Sequence, residues 1–194
     1  MALTGIPCAS TARCKEVGFY QKNQCENLLM SQKITFHFAP AKSSQRALLH
    51  QWFQQKHIKE WMHGIGLQNT LNGLEKFFEG KSDTTYWIGY EKNIPFVFLI
   101  TSPEGEDATT LDVFICDIHY LGRGLAAPMI RKFLTDHFSH IKKVLIDPEA
   151  TNTRAVHVYK KVGFKTTHEF IANWHPVPHY QMELYMNDLM EKKQ

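Results

Sequence analysis

Residues 121–127, Leu121-Gly122-Arg123-Gly124-Leu125-Ala126-Ala127, form a glycine-rich turn between a strand pattern and a helix pattern. The first N–H groups of a helix lack intrahelical partners, and the helix dipole adds positive potential beside them. Glycines let such a backbone approach an anion without a Cβ clash. The chemistry implied is capture of phosphate oxygens. Two motif readings compete with a plain structural turn. As Gly122-x-Gly124-x-x-Ala127 the segment fits the dinucleotide fingerprint, and Asp147 lies roughly 20 residues further on. The context argues against that reading, because the turn follows several antiparallel strands and only one βαβ unit is present. A Walker loop is excluded, since no Gly-Lys-Ser/Thr occurs.

A second segment carries further chemistry-bearing residues: Asn152-x-Arg154-Ala155-x-x-x-Tyr159-x-Lys161-x-Gly163-Phe164. Other constellations offer less. His137-x-x-His140 and His175-x-x-x-His179 have metal-like spacing, but neither has a third ligand nearby in the sequence, so no metal is expected. Cys116 as an acyl nucleophile would need a paired base that the sequence does not identify. His119, beside the turn, reads as a surface histidine or a proton-transfer aid.

The elements that must position these residues are legible from Lys33 onward. Ile34, Phe36 and Phe38 alternate with polar neighbours, which predicts a first strand. Ser43–Ser44 offers a helix cap before Leu48, Leu49, Trp52 and Phe53. A second helix is expected over 70–78. Residues 84–90 and 94–101, joined by Glu91-Lys92-Asn93, read as a hairpin. A strand over 109–118 precedes the turn. Leu125, Met129, Ile130, Phe133 and Leu134 then share one helical face. Val144-Leu145-Ile146 is a short buried strand. Ala155, Val158, Tyr159 and Val162 recur at helical spacing until Gly163 stops that helix. Residues 164–171 and 180–186 close the fold as strands. This order predicts an α/β (α+β) class: a mixed, mostly antiparallel sheet with one βαβ crossover and helices on both faces.

The 194-residue chain suits one domain over 33–186, with a poorly ordered extension over 1–32 and a tail over 187–194. Met30 leaves a later start codon open. A net charge of +3, without any Lys/Arg-rich run, argues against a nucleic-acid partner. Cys8, Cys14, Cys25 and Cys116 fit neither a zinc site nor a tight disulfide framework, which suggests a reducing compartment. Apolar runs such as 94–100 are too short to span a bilayer, and no signal peptide is visible. A cytoplasmic monomer or homodimer, with no membrane partner, is the expectation.

The Gly-x-Gly-x-Ala turn and the Asn…Tyr…Gly-Phe helix about 30 residues later resemble the GNAT acetyltransferase superfamily. The resemblance covers roughly residues 33–186. Leu121 stands where the family often has Gln or Arg. Lys56-His57-Ile58-Lys59-Glu60-Trp61, Tyr120-Leu121-Gly122-Arg123-Gly124 and Ile146-Asp147-Pro148 look like segments of the aminoglycoside 6'-N-acetyltransferases and of related siderophore N-acyltransferases.

The resemblance implies acetyl-CoA as co-substrate and a small-molecule amine as acceptor. Ile115, Cys116 and Asp117 would pair with the pantetheine arm. Gly122, Arg123, Gly124, Leu125, Ala126 and Ala127 would hold the diphosphate, and Asn152 would bind the arm. Tyr159 is the candidate acid for the leaving thiolate, since a phenol of pKa about 10 is protonated at neutral pH. Asp112 would orient the amine and accept its proton. Asp147 matches a second acidic position, and Trp61 and Glu60 would line the same mouth. Two features depart from the aminoglycoside relatives. Met62-His63-Gly64-Ile65-Gly66 replaces a second Trp and further acids, and Asn-Trp-His-Pro-Val-Pro stands at 173–178 where an acid is expected. In the siderophore branch a His usually replaces Asp112. Three readings follow: an aminoglycoside-type acetyltransferase, an N-acyltransferase of a lysine-like amine, and a non-catalytic CoA-binding module.

Overall fold

A computed structural model describes residues 34–173 and 175–191. The expected N-terminal extension, with Cys8, Cys14, Cys25 and Met30, lies outside the described residues, as do Trp174 and residues 192–194. Residues from Phe36 onward form one compact unit.

The elements are β1 (Phe36–Pro40), α1 (Arg46–Phe53), the helical turn α2 (Lys56–Lys59), α3 (Gly64–Phe78), β2 (Thr85–Glu91), β3 (Ile94–Pro103), β4 (Ala108–Ile115), α4 (Ala126–His137), β5 (Lys143–Ile146), α5 (Thr153–Val162), β6 (Lys165–Ala172), β7 (His175–Tyr185) and α6 (Met186–Glu191). Seven strands form one sheet in the order β1-β2-β3-β4-β5-β7-β6. Only β4 and β5 run parallel, joined through α4; every other neighbouring pair is antiparallel. This is the mixed sheet with a single βαβ crossover that the period changes along the chain imply.

Strand alternation sends successive residues to opposite faces, and two apolar clusters result. Phe98 and Ile100 of β3 pack with Leu49, Trp52 and Phe53 of α1 and Leu74 of α3. Val97 and Leu99 pack on the other face with Met129, Ile130, Phe133 and Leu134 of α4 and Tyr159 and Val162 of α5. The β2–β3 turn uses Lys92 and Asn93 at positive φ (48° and 67°), a pair that gives the right-handed twist a two-residue hairpin needs. Gly89 is set by close packing: a Cβ there would meet Val97 Cγ1 at 2.4 Å.

Several boundaries differ from the sequence expectation. Neither Ser43 nor Ser44 caps α1. Instead Gln45 Oε1 accepts from the Lys42 N–H at 2.9 Å and a 3-10 turn leads in. α3 starts six residues earlier than the apolar repeat suggested, at Gly64, and α2 had no visible signal. β4 ends at Ile115 rather than 118. Part of the expected tail is the helix α6, which buries Met186 and Leu189 against the core. Among the described residues no helix is long and apolar enough to cross a membrane.

Candidate active site

The parallel pairing of β4 with β5 lasts three residues only: Ala108, Thr109 and Thr110 against Lys143, Val144 and Leu145. Beyond that point the two strands part. β4 stays paired to β3 through Ile115, so its other edge is left bare. Asp112 stands two residues past Thr110 on one arm of the split, and Asp147 two residues past Leu145 on the other. A cleft of about 570 Å³ opens here, and both carboxylates line it together with Tyr159.

The three groups act on one another. Burial, and then the Asp147 charge, push the Asp112 carboxyl up to about 7. Burial raises Asp147 as well, offset in part by His179 and by a main-chain hydrogen bond. Tyr159 is buried on α5, and burial followed by the charges of Asp112 and Asp147 pushes its phenol well above the ordinary value. The cleft therefore holds a carboxyl poised near neutrality beside a phenol that keeps its proton.

The bare edge of β4 differs in detail from the expectation. The N–H groups of Cys116 and Asp117 both donate to the Phe96 carbonyl, at 2.7 and 3.1 Å, and neither residue lines the cleft. They are committed to β3. Because a ladder alternates, the N–H groups of Val113 and Ile115 turn toward the side that β5 has left. Val113 and Ile115 do line the cleft. The Ile115 carbonyl accepts from His57 Nε2 at 3.1 Å, which fastens α2 across the end of β4. The Cys116 thiol is buried, donates to the Phe114 carbonyl at 3.2 Å, and is pushed up by burial, so it is no nucleophile.

The glycine-rich turn follows β4. Gly122 and Gly124 hold φ of 73° and 71°, which favours glycine, while a Cβ at either would meet nothing within 4 Å. Leu125 occupies the N-cap of α4 without a side-chain cap, and Pro128 in the first helical turn has no N–H. The N–H groups of Leu125, Ala126 and Ala127 are thus left without intrahelical partners. Leu121 and Ala126 line the cleft where it reaches the turn. Gly122, Arg123, Gly124, Leu125 and Ala127 do not line it. Arg123 lies over the Tyr120 ring at 5.2 Å.

Asn152 caps α5, its Oδ1 accepting from the Ala155 N–H at 3.1 Å. That leaves its amide N–H2 group for a ligand, and Asn152 lines the cleft. Glu60 and Trp61 line it as well.

Sequence reasoning gave no role to two residues that line the cleft, His57 and Glu149, and named His175 and His179 only as a pair with metal-like spacing and no third ligand nearby in the sequence. Main-chain bonds explain how Glu149 meets the two histidines of β7. The Ala150 N–H donates to Pro178 O at 2.8 Å and the Tyr180 N–H to Pro148 O at 2.9 Å, which staple the loop after β5 to β7. His175 Nε2 then lies 3.1 Å from Glu149 Oε1, with the His63 ring 4.9 Å away edge-on. No local spacing could signal this group, because its members come from three separate segments.

The geometry can be set beside known proteins. The family described as acetyltransferase (GNAT) domain matches residues 43–172. The crystal structure of aminoglycoside N(6')acetyltransferase from Legionella pneumophila is 48% identical, covers 84% of this chain and 99% of its own, and superposes with a TM-score of 0.78. An aminoglycoside N(6')-acetyltransferase type 1 of Klebsiella pneumoniae is 25% identical over 137 residues, 61% of this chain and 68% of that protein. The structure of aminoglycoside acetyltransferase AAC(6')-Ib in complex with coenzyme A and kanamycin shares the fold, at 18% identity over 82% of this chain and 100% of that one, with a TM-score of 0.68. With a split β4–β5 pair, an uncapped glycine-rich turn and the family match over most of its length, the chain belongs to the GNAT acetyltransferase family and is an acetyl-CoA-dependent N-acetyltransferase.

Proposed function

We propose that this enzyme acetylates a primary amine of an aminoglycoside-like polycation, and that Asp112 and Tyr159 carry the proton transfers. The observation that carries the reading is the convergence of Asp112, Asp147 and Tyr159 where β4 and β5 part.

In this reading the diphosphate of acetyl-CoA lies against the free N–H groups of residues 125–127, within the 122–127 turn. The pantetheine arm adds along the bare edge of β4 at Val113 and Ile115, and the Asn152 amide donates to it. The thioester then reaches the split. The acceptor arrives as an ammonium ion, which the carboxylates attract. Asp112 takes its proton, and a carboxyl near pKa 7 is well matched to that task at neutral pH. The neutral nitrogen attacks the thioester carbonyl, a C–N bond forms, and the C–S bond breaks. Tyr159 gives its proton to the departing thiolate. Its raised pKa keeps it a donor throughout the physiological range. The first ammonium proton ends on Asp112; the second nitrogen proton, shed as the amide forms, replaces the one that Tyr159 gives to sulfur, so the products are the amide, the free thiol, protonated Asp112 and neutral Tyr159.

The Legionella and Klebsiella relatives are named for aminoglycoside acetylation at the 6' position, which supports the same acceptor here. Four carboxylates line the cleft, Glu60, Asp112, Asp147 and Glu149, and they suit a substrate with several positive charges. Asp112, rather than a His, argues for this acceptor over a siderophore-type amine. The test is coenzyme A release from acetyl-CoA with aminoglycosides, polyamines and lysine-like amines as acceptors. Turnover with aminoglycosides, lost in Tyr159→Phe and Asp112→Asn, is expected. Turnover only with lysine-like amines would replace the acceptor. Acetyl-CoA binding with no release on any amine would leave a CoA-binding module.

A further inference from the structure

We propose that His63, Glu149 and His175 form a binding site for a divalent transition metal of the Zn²⁺ type at the mouth of the cleft, and that its occupation opposes entry of the cationic acceptor. The second clause rests on the acceptor being an amine that enters by this mouth; the first does not.

One ligand atom from each residue lies within 4.8 Å of the other two. A single point therefore exists within about 2.8 Å of all three, against Zn–N and Zn–O distances of about 2.0–2.2 Å. Each ligand must close by about 0.7 Å. Side-chain torsions supply that easily, since His63 is exposed and the other two are only half-buried. Two imidazoles and a carboxylate are a donor set that zinc takes in open, three-ligand sites; imidazole also suits copper and nickel.

The backbone holds the triad independently of any ion. His63 is the N-cap residue that opens α3. Glu149 is fixed by the two main-chain bonds that tie residues 148–150 to 178–180. His175 begins β7. The Glu149–His175 contact at 3.1 Å already brings two donors together, and the His63 ring stands edge-on to His175. The proton transfers derived above use none of the three, although Glu149 is also one of the carboxylates that face the acceptor. A metal there would fasten α3 to β7 across the mouth, and its two positive charges would face an incoming ammonium. Occupation should raise the KM for the amine without changing kcat.

The experiment is calorimetric titration of ZnCl₂ into the full chain in a non-coordinating buffer, repeated on His63→Gln, Glu149→Gln and His175→Gln. These variants keep all four cysteines, so zinc held by thiols survives in them and only the difference is assigned to the triad. Expected is one saturable zinc equivalent that each variant weakens at least about tenfold, while thermal melts show all three folded. Product formation, followed by mass spectrometry to avoid thiol reagents, should show zinc raising the amine KM in the wild type and not in His63→Gln. Wild-type isotherms in all three variants, or no saturable heat up to about 1 mM zinc, would overturn the site. Zinc binding without a KM effect would overturn its opposition to the acceptor. The Asp112→Asn variant separates this from the proposed reaction: it should lose turnover and keep the zinc isotherm.

Discussion

Asp112 should cost the protein stability at the same pH where it serves the reaction. Burial and the Asp147 charge put its carboxyl at about 7, against about 3.9 for an unfolded-chain Asp. Between those values the native state binds a proton that the unfolded state has released, so stability falls as pH rises across that window. Above pH 7 the loss reaches its full extent, about 4 kcal/mol, reduced by whatever water the open cleft admits. The Asp112→Asn variant keeps the shape of the neutral acid and never ionises. Its stability advantage over wild type should therefore be small near pH 4 and grow upward. Between about pH 5 and pH 8 the advantage should widen by about 2–3 kcal/mol, or very roughly 5–10 °C in melting temperature for a chain of this size. Urea unfolding of both proteins at the two pH values measures it, and groups common to both largely cancel. Over the same range kcat/KM for the amine should fall on the acid side of about pH 7, as Asp112 becomes protonated and can no longer accept. A stability difference that does not change with pH would refute the buried, proton-holding carboxyl and the general-base assignment built on it.

The remaining tests address the other parts of the cleft. Tyr159→Phe should lower kcat about 10²–10⁴-fold with little change in KM for acetyl-CoA, measured by steady-state kinetics, since it removes only a proton donor. Asn152→Ala should cost about 1 kcal/mol through loss of the α5 cap and also raise the KM for acetyl-CoA, so denaturation and kinetics should both move. Gly89→Ala should destabilise by about 2 kcal/mol or more, read from urea unfolding, because its Cβ would meet Val97 and Phe38 below 3.0 Å.

Fold class and the succession of elements along the chain were legible because periodicity reports which face a residue covers. The hairpin at Lys92-Asn93, the α4 stripe from Leu125 to Leu134 and the Gly163 stop each carry their geometry locally. α2 was not legible, because four residues make barely one turn and only Ile58 is buried. α3 began earlier than expected because Gly64 and Gly66, poor helix formers, and the exposed Ile65 give its first turn no apolar repeat to read. α6 was hidden in what composition marked as a tail, yet Met186 and Leu189 are held by the core.

The site divides along the same line. Groups carried by one motif, such as Gly122 and Gly124 or Asn152 and Tyr159, could be named as candidates because the motif resembles one of a known family and lies along a single turn or helix. Val113, His57 and Glu149 could not, because each depends on where another element ends. Val113 lies at the cleft only because β5 leaves β4 after Thr110. His57 bridges to Ile115 only because α2 crosses the end of β4. That early parting is also what gives the carboxylates their chemistry. Had the parallel ladder run two residues further, Asp112 and Asp147 would face each other as neighbouring strand residues with no cleft between them. The split separates the strands enough to admit a thioester and an amine. It keeps the two acids close enough that Asp147 helps hold Asp112 near neutrality, and it leaves Tyr159 on α5 as a phenol that both charges help to keep protonated.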